Sequence, residues 1–351
     1  MRALKLFGLT LLIAFILFGF FILFSTITYF DPPQKIILSE NSVSDTIPCD
    51  SSLSVVSWNI GYAGLGDNMD FFYDSGKKVR DTYERTVTNL DSISQFLKRQ
   101  SQHADFILIQ EVDLHSKRTY YINELDTFNT KIKFYHSLAQ NYVVKFVPIP
   151  PSSPMGQVNS GVLSLSKPQP INSTRFGYPG KFGWPNRLFN LRRCMLVNRY
   201  NTKNSKELVL INTHMSAFDD GSLKKQEMNY LATFVQSEYA KGNYIIVGGD
   251  WNQSPPDFPL TTFGENYKVD FFKLTNVDDQ LLPTDWKWAF DPKSPTNRYL
   301  NENYTEGKTF TSIIDFFLVS PNVEVLQNKT FNLNFRNSDH NPVFMSFKLK
   351  P

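Results

Sequence analysis

The chain has 351 residues, 41% of them apolar and 15% aromatic, enough to bury a large core and too rich in apolar side chains for a disordered or low-complexity protein. Its 36 basic and 33 acidic residues leave a net charge of +3, which by itself does not indicate a polyanionic partner. Two cysteines without metal-site spacing exclude a disulfide-dense scaffold and a zinc finger.

Residues 6–30 carry no charge and are interrupted by polar side chains only at Thr10, Ser25, Thr26 and Thr28. As a helix this stretch would be about 37 Å long, sufficient for a hydrocarbon core of about 30 Å. Arg2 and Lys5 before it and Asp31 after it predict a cytoplasmic amino terminus, a single pass through the cell membrane and an extracytoplasmic remainder. A cleaved secretory signal is the competing reading, but it would have a shorter apolar region and a small-x-small site, which is not seen here. Residues 31–52 contain three prolines and several serines without a period and predict a linker. The expected division is therefore 1–30 signal-anchor, 31–52 linker and 53–351 folded domain. Cys49 and Cys194 leave a disulfide and two free thiols equally open.

Several later segments share one construction, an apolar run of strand length that stops on a polar residue. They are "SVVSWN" ending at Asn59, "DFILIQE" at Glu111, "ELVLINTH" at His214 and "YIIVGGDWN" at Asp250 and Asn252. Further along, "SIIDFFLVS" carries Asp315 inside an apolar run, and "NSDHNPVFMSF" sets Asp339 and His340 before a last apolar segment. Between them Tyr83, Val87, Leu90, Ser94 and Leu97 keep helical spacing, with Ile93 widening the stripe. Met228, Leu231, Val235 and Tyr239 do the same in a helix over about 222–241, closed by Gly242 and Asn243. Strands and helices in this mixed order predict sheet packed on sheet with helices outside, and strand ends converging on one cleft.

No acidic residue occurs in residues 127–206, a stretch with twelve Lys or Arg. Within it "RFGYPGKFGWPNRLFNLRR" interleaves cations with aromatics, which points towards an anionic partner and makes Trp184 and Arg193 candidates for substrate contact. The loop "GYAGLGDNMDFFYDSGKK" after Asn59 adds Lys77 and Lys78.

Pooled in one pocket, Asn59, Glu111, His214, Asp250, Asn252, Asp315, Asp339 and His340 offer oxygen ligands and two bases, the donor set of a hard cation such as Mg²⁺ or Mn²⁺. That chemistry suits attack of water on a phosphate ester. Singly, each has a plainer role: turn residues at Asn59 and Asn252, a surface acid at Glu111, a structural aspartate at Asp315. His103, His115 and His136 belong with the plain readings.

In order, "SWNI", "QEVD", "NTH", "GGDWN", "IIDFFLV" and "SDHNPV" resemble the endonuclease/exonuclease/phosphatase family, which includes deoxyribonuclease I, abasic-site endonucleases and neutral sphingomyelinases. The resemblance implies a four-layer α/β sandwich with Mg²⁺ held by Glu111 beside Asn59, and Asp339 at the metal or phosphate. It implies Asp250 and Asn252 positioning the water or phosphate, His340 oriented by Asp315 as base or phosphate contact, and His214 stabilising the phosphoryl oxygens or leaving group. The choice of base between Asp250 and His340 stays open, as does the carboxylate partner of His214. Lys167 stands where the family usually has arginine. The function expected is a membrane-anchored phosphodiesterase without an obligate protein partner, acting on extracellular nucleic acid. A sphingomyelinase- or phospholipase C-like enzyme and a non-catalytic binding module are the alternatives.

Overall fold

The computed structural model describes residues 2–42, 45–217, 221–264 and 274–350. Helix α1 (Arg2–Ile27) is the uncharged run extended to Arg2, and it is long and apolar enough to cross a membrane. The strands then follow as β1 (Lys35–Glu40), β2 (Thr46–Ile47), β3 (Leu53–Asn59), β4 (Phe106–Asp113), β5 (Tyr135–Val147), β6 (Gly156–Ser166), β7 (Asn172–Gly177) and β8 (Cys194–Thr202). After them come β9 (Glu207–His214), β10 (Tyr244–Asp250), β11 (Lys287–Ala289), β12 (Asn297–Arg298), β13 (Thr311–Ser312), β14 (Asp315–Val319), β15 (Val323–Thr330) and β16 (Val343–Leu349). The remaining helices are α2 (Tyr83–Gln100), α3 (Glu124–Lys131) and α4 (Ser222–Tyr239).

Two mixed sheets form, ordered β1-β7-β8-β9-β10-β14-β11 and β15-β16-β3-β4-β6-β5, with β2 beside β8 in the first. Strand alternation builds the layers, because successive side chains face opposite sides. Leu208, Leu210 and Ile246 meet Val55, Phe106 and Leu108 between the sheets. Their neighbours Val209, Ile211 and Val247 face Met228, Leu231 and Val235 of α4. On the other flank Val56, Trp58, Ile107 and Ile109 face Leu90, Ile93 and Leu97 of α2 and Phe128 of α3. The expected four-layer α/β sandwich is what the chain adopts.

Two local expectations change and one open question closes. The buried face of α2 runs through Thr86, Leu90, Ile93 and Leu97, whereas Tyr83 and Val87 are exposed. Tyr83 instead packs edge-on against Tyr120. Residues 31–52, read as a linker, supply two strands: β1 pairs antiparallel with β7, and β2 pairs parallel with β8. Proline and serine content hid the short run Lys35–Glu40, which adds to a sheet edge that the neighbouring strand leaves open. Cys49 and Cys194 are both free thiols.

Gly249 shows why two glycines precede Asp250. Its φ is +149°, and a Cβ there would lie 1.9 Å from the Thr213 carbonyl oxygen, so only glycine lets β10 approach β9 in register. Gly248 fits between Phe317 and Leu108 in the inter-sheet core. Gly249→Ala is therefore expected to destabilise the fold by about 1–3 kcal/mol in a denaturant titration. Gly183→Ala, where an added Cβ meets nothing within 4 Å, should leave the midpoint unchanged.

Candidate active site

The pairing registers bring distant carboxylates together before any side chain is considered. Asp250 lies opposite His214 on β9 and opposite Asp315 on β14, so three site residues sit abreast on adjacent strands. In the second sheet Asn59 lies opposite Gln110, which puts Glu111 one residue further along β4. A register shift between Ile109 and Val112, with Glu111 at φ 58°, forms a bulge that turns Glu111 out of the alternation and into the cleft. Asp339 and His340 arrive from the segment just before β16.

Asn59 joins the sheets. Its Nδ2 donates to Glu111 Oε1 at 3.1 Å and to Asp250 Oδ2 at 2.9 Å. Its Oδ1 accepts from the Gly61 amide at 3.0 Å, so Asn59 presents nitrogen, not oxygen, to the two acids. Asp250 Oδ1 accepts from the Asn252 backbone amide at 2.9 Å, while the Asn252 side chain donates to the Met215 carbonyl. Asn252 adopts φ 50°, a conformation asparagine tolerates better than most residues. His340 Nδ1 lies 2.8 Å from Asp315 Oδ2, and its Nε2 is 3.8 Å from both Asp250 and Asp339. His214 Nε2 is 3.4 Å from Asp250 and 3.8 Å from Glu111. His214 Nδ1 is buried without a hydrogen-bond partner among the described residues, so no carboxylate there orients the ring.

The two histidines are driven in opposite directions. Burial disfavours charge on His340, but Asp315, Asp339 and Asp250 outweigh it and raise its pKa well above the usual value. Burial lowers that of His214 well below, helped by Arg193, His340 and Arg118. Burial also raises Asp315 to about 6, against the pull of His340. Asp339 is raised to about 6 by burial, partly offset by His340 and reinforced by Glu111.

These groups floor a cavity of about 580 Å³ lined by Glu111, Arg193, His214, Asp250, Asn252, Asp339 and His340. Arg193 brings a guanidinium whose Nη1 is buried without a partner among the described residues. Lys77 and Trp184 are not in the lining; both are exposed, and the Lys77 backbone amide is taken by Asp70. Lys78 is held by the Asn68 carbonyl and Asp70, and Lys167 by Asp105 at the far end of β4.

The cleft also contains residues with weaker signals in the sequence. Asp74 comes from the long loop after Asn59, and burial next to Asp339 raises it to about 7. Arg118 makes two hydrogen bonds to Asp113 and lies 3.6 Å from the Tyr62 ring centroid. Asn297 Nδ2 is 3.1 Å from His340 Nε2. Asn297 and Arg118 follow no strand-end pattern; only Asp74 lay in a stretch already singled out.

The fold and this strand-end site define a class, the layered hydrolases that act on phosphate esters. The chain belongs to the Endonuclease/Exonuclease/phosphatase family, whose model matches residues 56–340 and whose members are phosphodiesterase and phosphatase hydrolases. No curated protein sequence matches it. Among solved structures it is similar to an endonuclease/exonuclease/phosphatase from Beutenbergia cavernae, with 16% identity over 85% of this chain and 72% of that one and a TM-score of 0.57. It is also similar to ANGEL2, a 2',3'-cyclic phosphatase, in complex with adenosine-2',3'-vanadate, with 15% identity over 86% and 96% of the two chains and a TM-score of 0.55. A third is D. rerio TDP2 complexed with a single-strand DNA product, with 13% identity over 85% and 100% and a TM-score of 0.51.

Enzymes of this family usually depend on a divalent metal, and the residues present fit one. Ligand atoms of Asp250, Asp315 and His340 lie within 4.8 Å of one another. The hydrogen bond between His340 and Asp315 occupies that pair, which leaves Glu111, Asp339, Asp250 and Asp74 as the carboxylates lining the cleft, hard oxygen donors for a cation. Burial and the nearby Glu111 carboxylate raise the Asp339 pKa, a concentration of negative charge that suits a hard cation.

A pH dependence follows. Folding raises Asp339 from 3.8 to about 6, so between those values the folded chain binds more protons than the unfolded chain, and its stability falls as pH rises. Thermal melts in chelator from pH about 4 to about 6 should show that decline, with a smaller slope in Asp339→Asn and in excess Mg²⁺. Equal slopes in all three would remove Asp339 from the charge cluster.

Proposed function

We propose that the chain is a phosphodiesterase anchored in the cell membrane by α1, with its catalytic domain outside the cytoplasm, and dependent on Mg²⁺ or Mn²⁺. The observation that carries this reading is the shared hydrogen-bonding of Glu111 and Asp250 by Asn59, next to the pair formed by His340 and Asp315. The bound cation, held by Glu111 with Asp339, would neutralise phosphoryl oxygens. Asn59 then serves to hold the acids apart from one another and in place.

Asp250, fixed by Asn59 and by the Asn252 amide, takes the proton from the attacking water. His340 is charged near neutral pH and hydrogen-bonded to Asp315, so it acts as a donor to the phosphate and to the departing oxygen, not as the base. His214 stays neutral and hydrogen-bonds the phosphoryl group without adding charge. Arg193, with its unpartnered nitrogen, meets a phosphate oxygen. In the balanced reaction the water oxygen joins phosphorus, one P–O ester bond breaks, and the departing oxygen leaves protonated.

Extracellular nucleic acid has lost its main support, because the cations of the basic aromatic run have other partners. Arg175 is buried and donates to the carbonyls of Gln140 and Arg192. Arg192 and Lys181 pair with Asp31 at 2.9 and 3.7 Å, and Arg187 lies over the Tyr29 ring. Of that run's cations, Arg193 is the one lining the cavity.

With bis(p-nitrophenyl) phosphate and Mg²⁺, Asp250→Asn and His340→Gln are each expected to lower kcat by about 10²–10⁴. Glu111→Gln should raise the Mg²⁺ concentration for half-maximal rate. The wild-type rate should fall as pH rises through the elevated pKa of His340, and His340→Gln should lack that limb. A variant pair with wild-type kcat would end this assignment.

A further inference from the structure

Helix α1 touches the catalytic domain, and it does so at the mouth of the cleft. The Phe21 ring stacks on Phe189 at 5.7 Å with an interplanar angle of 7°, and meets Phe146 edge-on at 6.1 Å. Phe189 lines the cavity whose floor holds Asp250 and His340. Just beyond the helix, Tyr29 lies under Arg187, and Asp31 is paired with Arg192 and Lys181. Lys181, Arg187, Phe189 and Arg192 belong to the segment that forms one wall of the cleft, in which Phe182, Asn186 and Asn190 are also lining residues. Only residues 28–34 separate α1 from β1, which is locked to β7, so the helix end is confined to a reach of about 25 Å even with that segment extended.

The depth of this contact matters. Phe21 lies six residues before the end of α1 at Ile27, which is about 9 Å back along the helix axis. The helix is about 39 Å long against a hydrocarbon core of about 30 Å. A helix placed to span that core therefore holds Phe21, and with it Phe146 and Phe189, at or below the boundary of the outer leaflet. Beside this contact Phe146 and Ile149 are each 39% exposed, and Trp184, in the same wall segment as Phe189, is 60% exposed. Large apolar side chains on a soluble surface are ordinary when scattered, but here Phe146 and Phe189 meet the end of an apolar helix, and Phe189 and Ile149 line the cavity. Aromatic and aliphatic rims of this kind partition into the headgroup boundary.

We propose that α1 is part of the rim of the active site and holds its mouth in the outer leaflet, so that the substrate is a phosphodiester lipid drawn from the bilayer the helix spans. The inference rests on the phosphodiesterase reading and adds its substrate class. The acyl chains remain in the leaflet beside Phe146, Ile149 and Trp184, while the phosphate rises past Phe189 to Arg193 and the catalytic acids. A cavity of about 580 Å³ accommodates a headgroup. Chemistry is as above: water adds to phosphorus, one ester oxygen leaves with a proton, and no oxidant or reductant takes part.

The test uses the full chain reconstituted in vesicles of equal parts phosphatidylcholine, sphingomyelin and phosphatidylglycerol with Mg²⁺. Water-soluble products are measured from labelled lipid placed either in the same vesicles or in separate ones. Cleavage of lipid in the same bilayer should exceed that in separate vesicles at least about tenfold, and Phe146→Ser should lower it about tenfold, through loss of an apolar contact with the leaflet. Phe146→Leu should restore most of the rate. All three forms should hydrolyse bis(p-nitrophenyl) phosphate equally, which shows that the variants fold and that the floor of the site is intact. Equal rates in the two vesicle arrangements, with the soluble ester still cleaved, would overturn the proposal and leave the phosphodiesterase reading standing. Cleavage of single-stranded DNA with the lipids untouched would do the same. Failure to cleave the soluble ester, DNA or lipid would sink both.

Discussion

One amide nitrogen sets the geometry of this site. Two carboxylates from different sheets, Glu111 and Asp250, both accept hydrogen bonds from Asn59 Nδ2, and the amide cannot turn over without losing the Gly61 backbone donor to its oxygen. Two acids at such close quarters repel, and burial strengthens the repulsion because little water screens it. A neutral donor between them lowers that repulsion without neutralising either acid, so both remain available to a cation. An alanine at this position would remove the donor and leave the carboxylates facing one another across an unbridged gap.

Below that bridge the sheets are locked by a second pair of amides. Gln110 donates to Asn212 Oδ1 at 2.7 Å and to Ser57, and Asn212 donates to the carbonyls of Ile109 and Leu163. Gln110 immediately precedes Glu111, and Asn212 stands two residues before His214. Apolar contacts between the sheets tolerate sliding, since burial is non-directional, whereas hydrogen bonds in a buried interface tolerate little. The polar lock therefore carries information that the surrounding leucines and valines cannot, the relative position of one sheet's acid and the other's histidine.

Much of this was legible in the chain. Each strand that ends in a functional side chain reads as an apolar run followed by one polar residue, because strands lose their apolar partners where the sheet edge meets the cleft. Asn59, Glu111, His214 and Asp250 obey that rule, whereas Asp315 opens β14 from inside an apolar run, and the structure brings all five together with Asp339 and His340. The direction of the Asn59 amide was not legible, since asparagine offers oxygen and nitrogen from the same geometry and only the Gly61 contact distinguishes them. Nor was the exclusion of Lys77 and Trp184, because a charge or ring in a loop carries no register to tell which way it faces. The misplaced face of α2 has a related cause. Tyr83 and Val87 satisfy helical spacing with Leu90, but the buried stripe runs one residue over, through Thr86, and periodicity alone does not choose between neighbouring stripes at a helix start.

The acid-free stretch shows how a correct compositional signal can have a different physical origin. A long run of cations without acids calls for negative charge from elsewhere, and an external polyanion is the partner that composition suggests. Here Asp31, remote in sequence and just outside α1, supplies part of that charge to Arg192 and Lys181, while Arg175 donates to two backbone carbonyls away from the cavity. Only a structure could reveal this, because the complement lies in a segment whose prolines and serines read as a linker. The consequence reaches the chemistry. Acids within the stretch would compete for Arg193, which its neighbours leave with an unpartnered nitrogen over the cavity. The same lack of acids that fastens the amino-terminal segment to the cleft wall thus leaves Arg193, the cation of the run that lines the cavity, open to a phosphate.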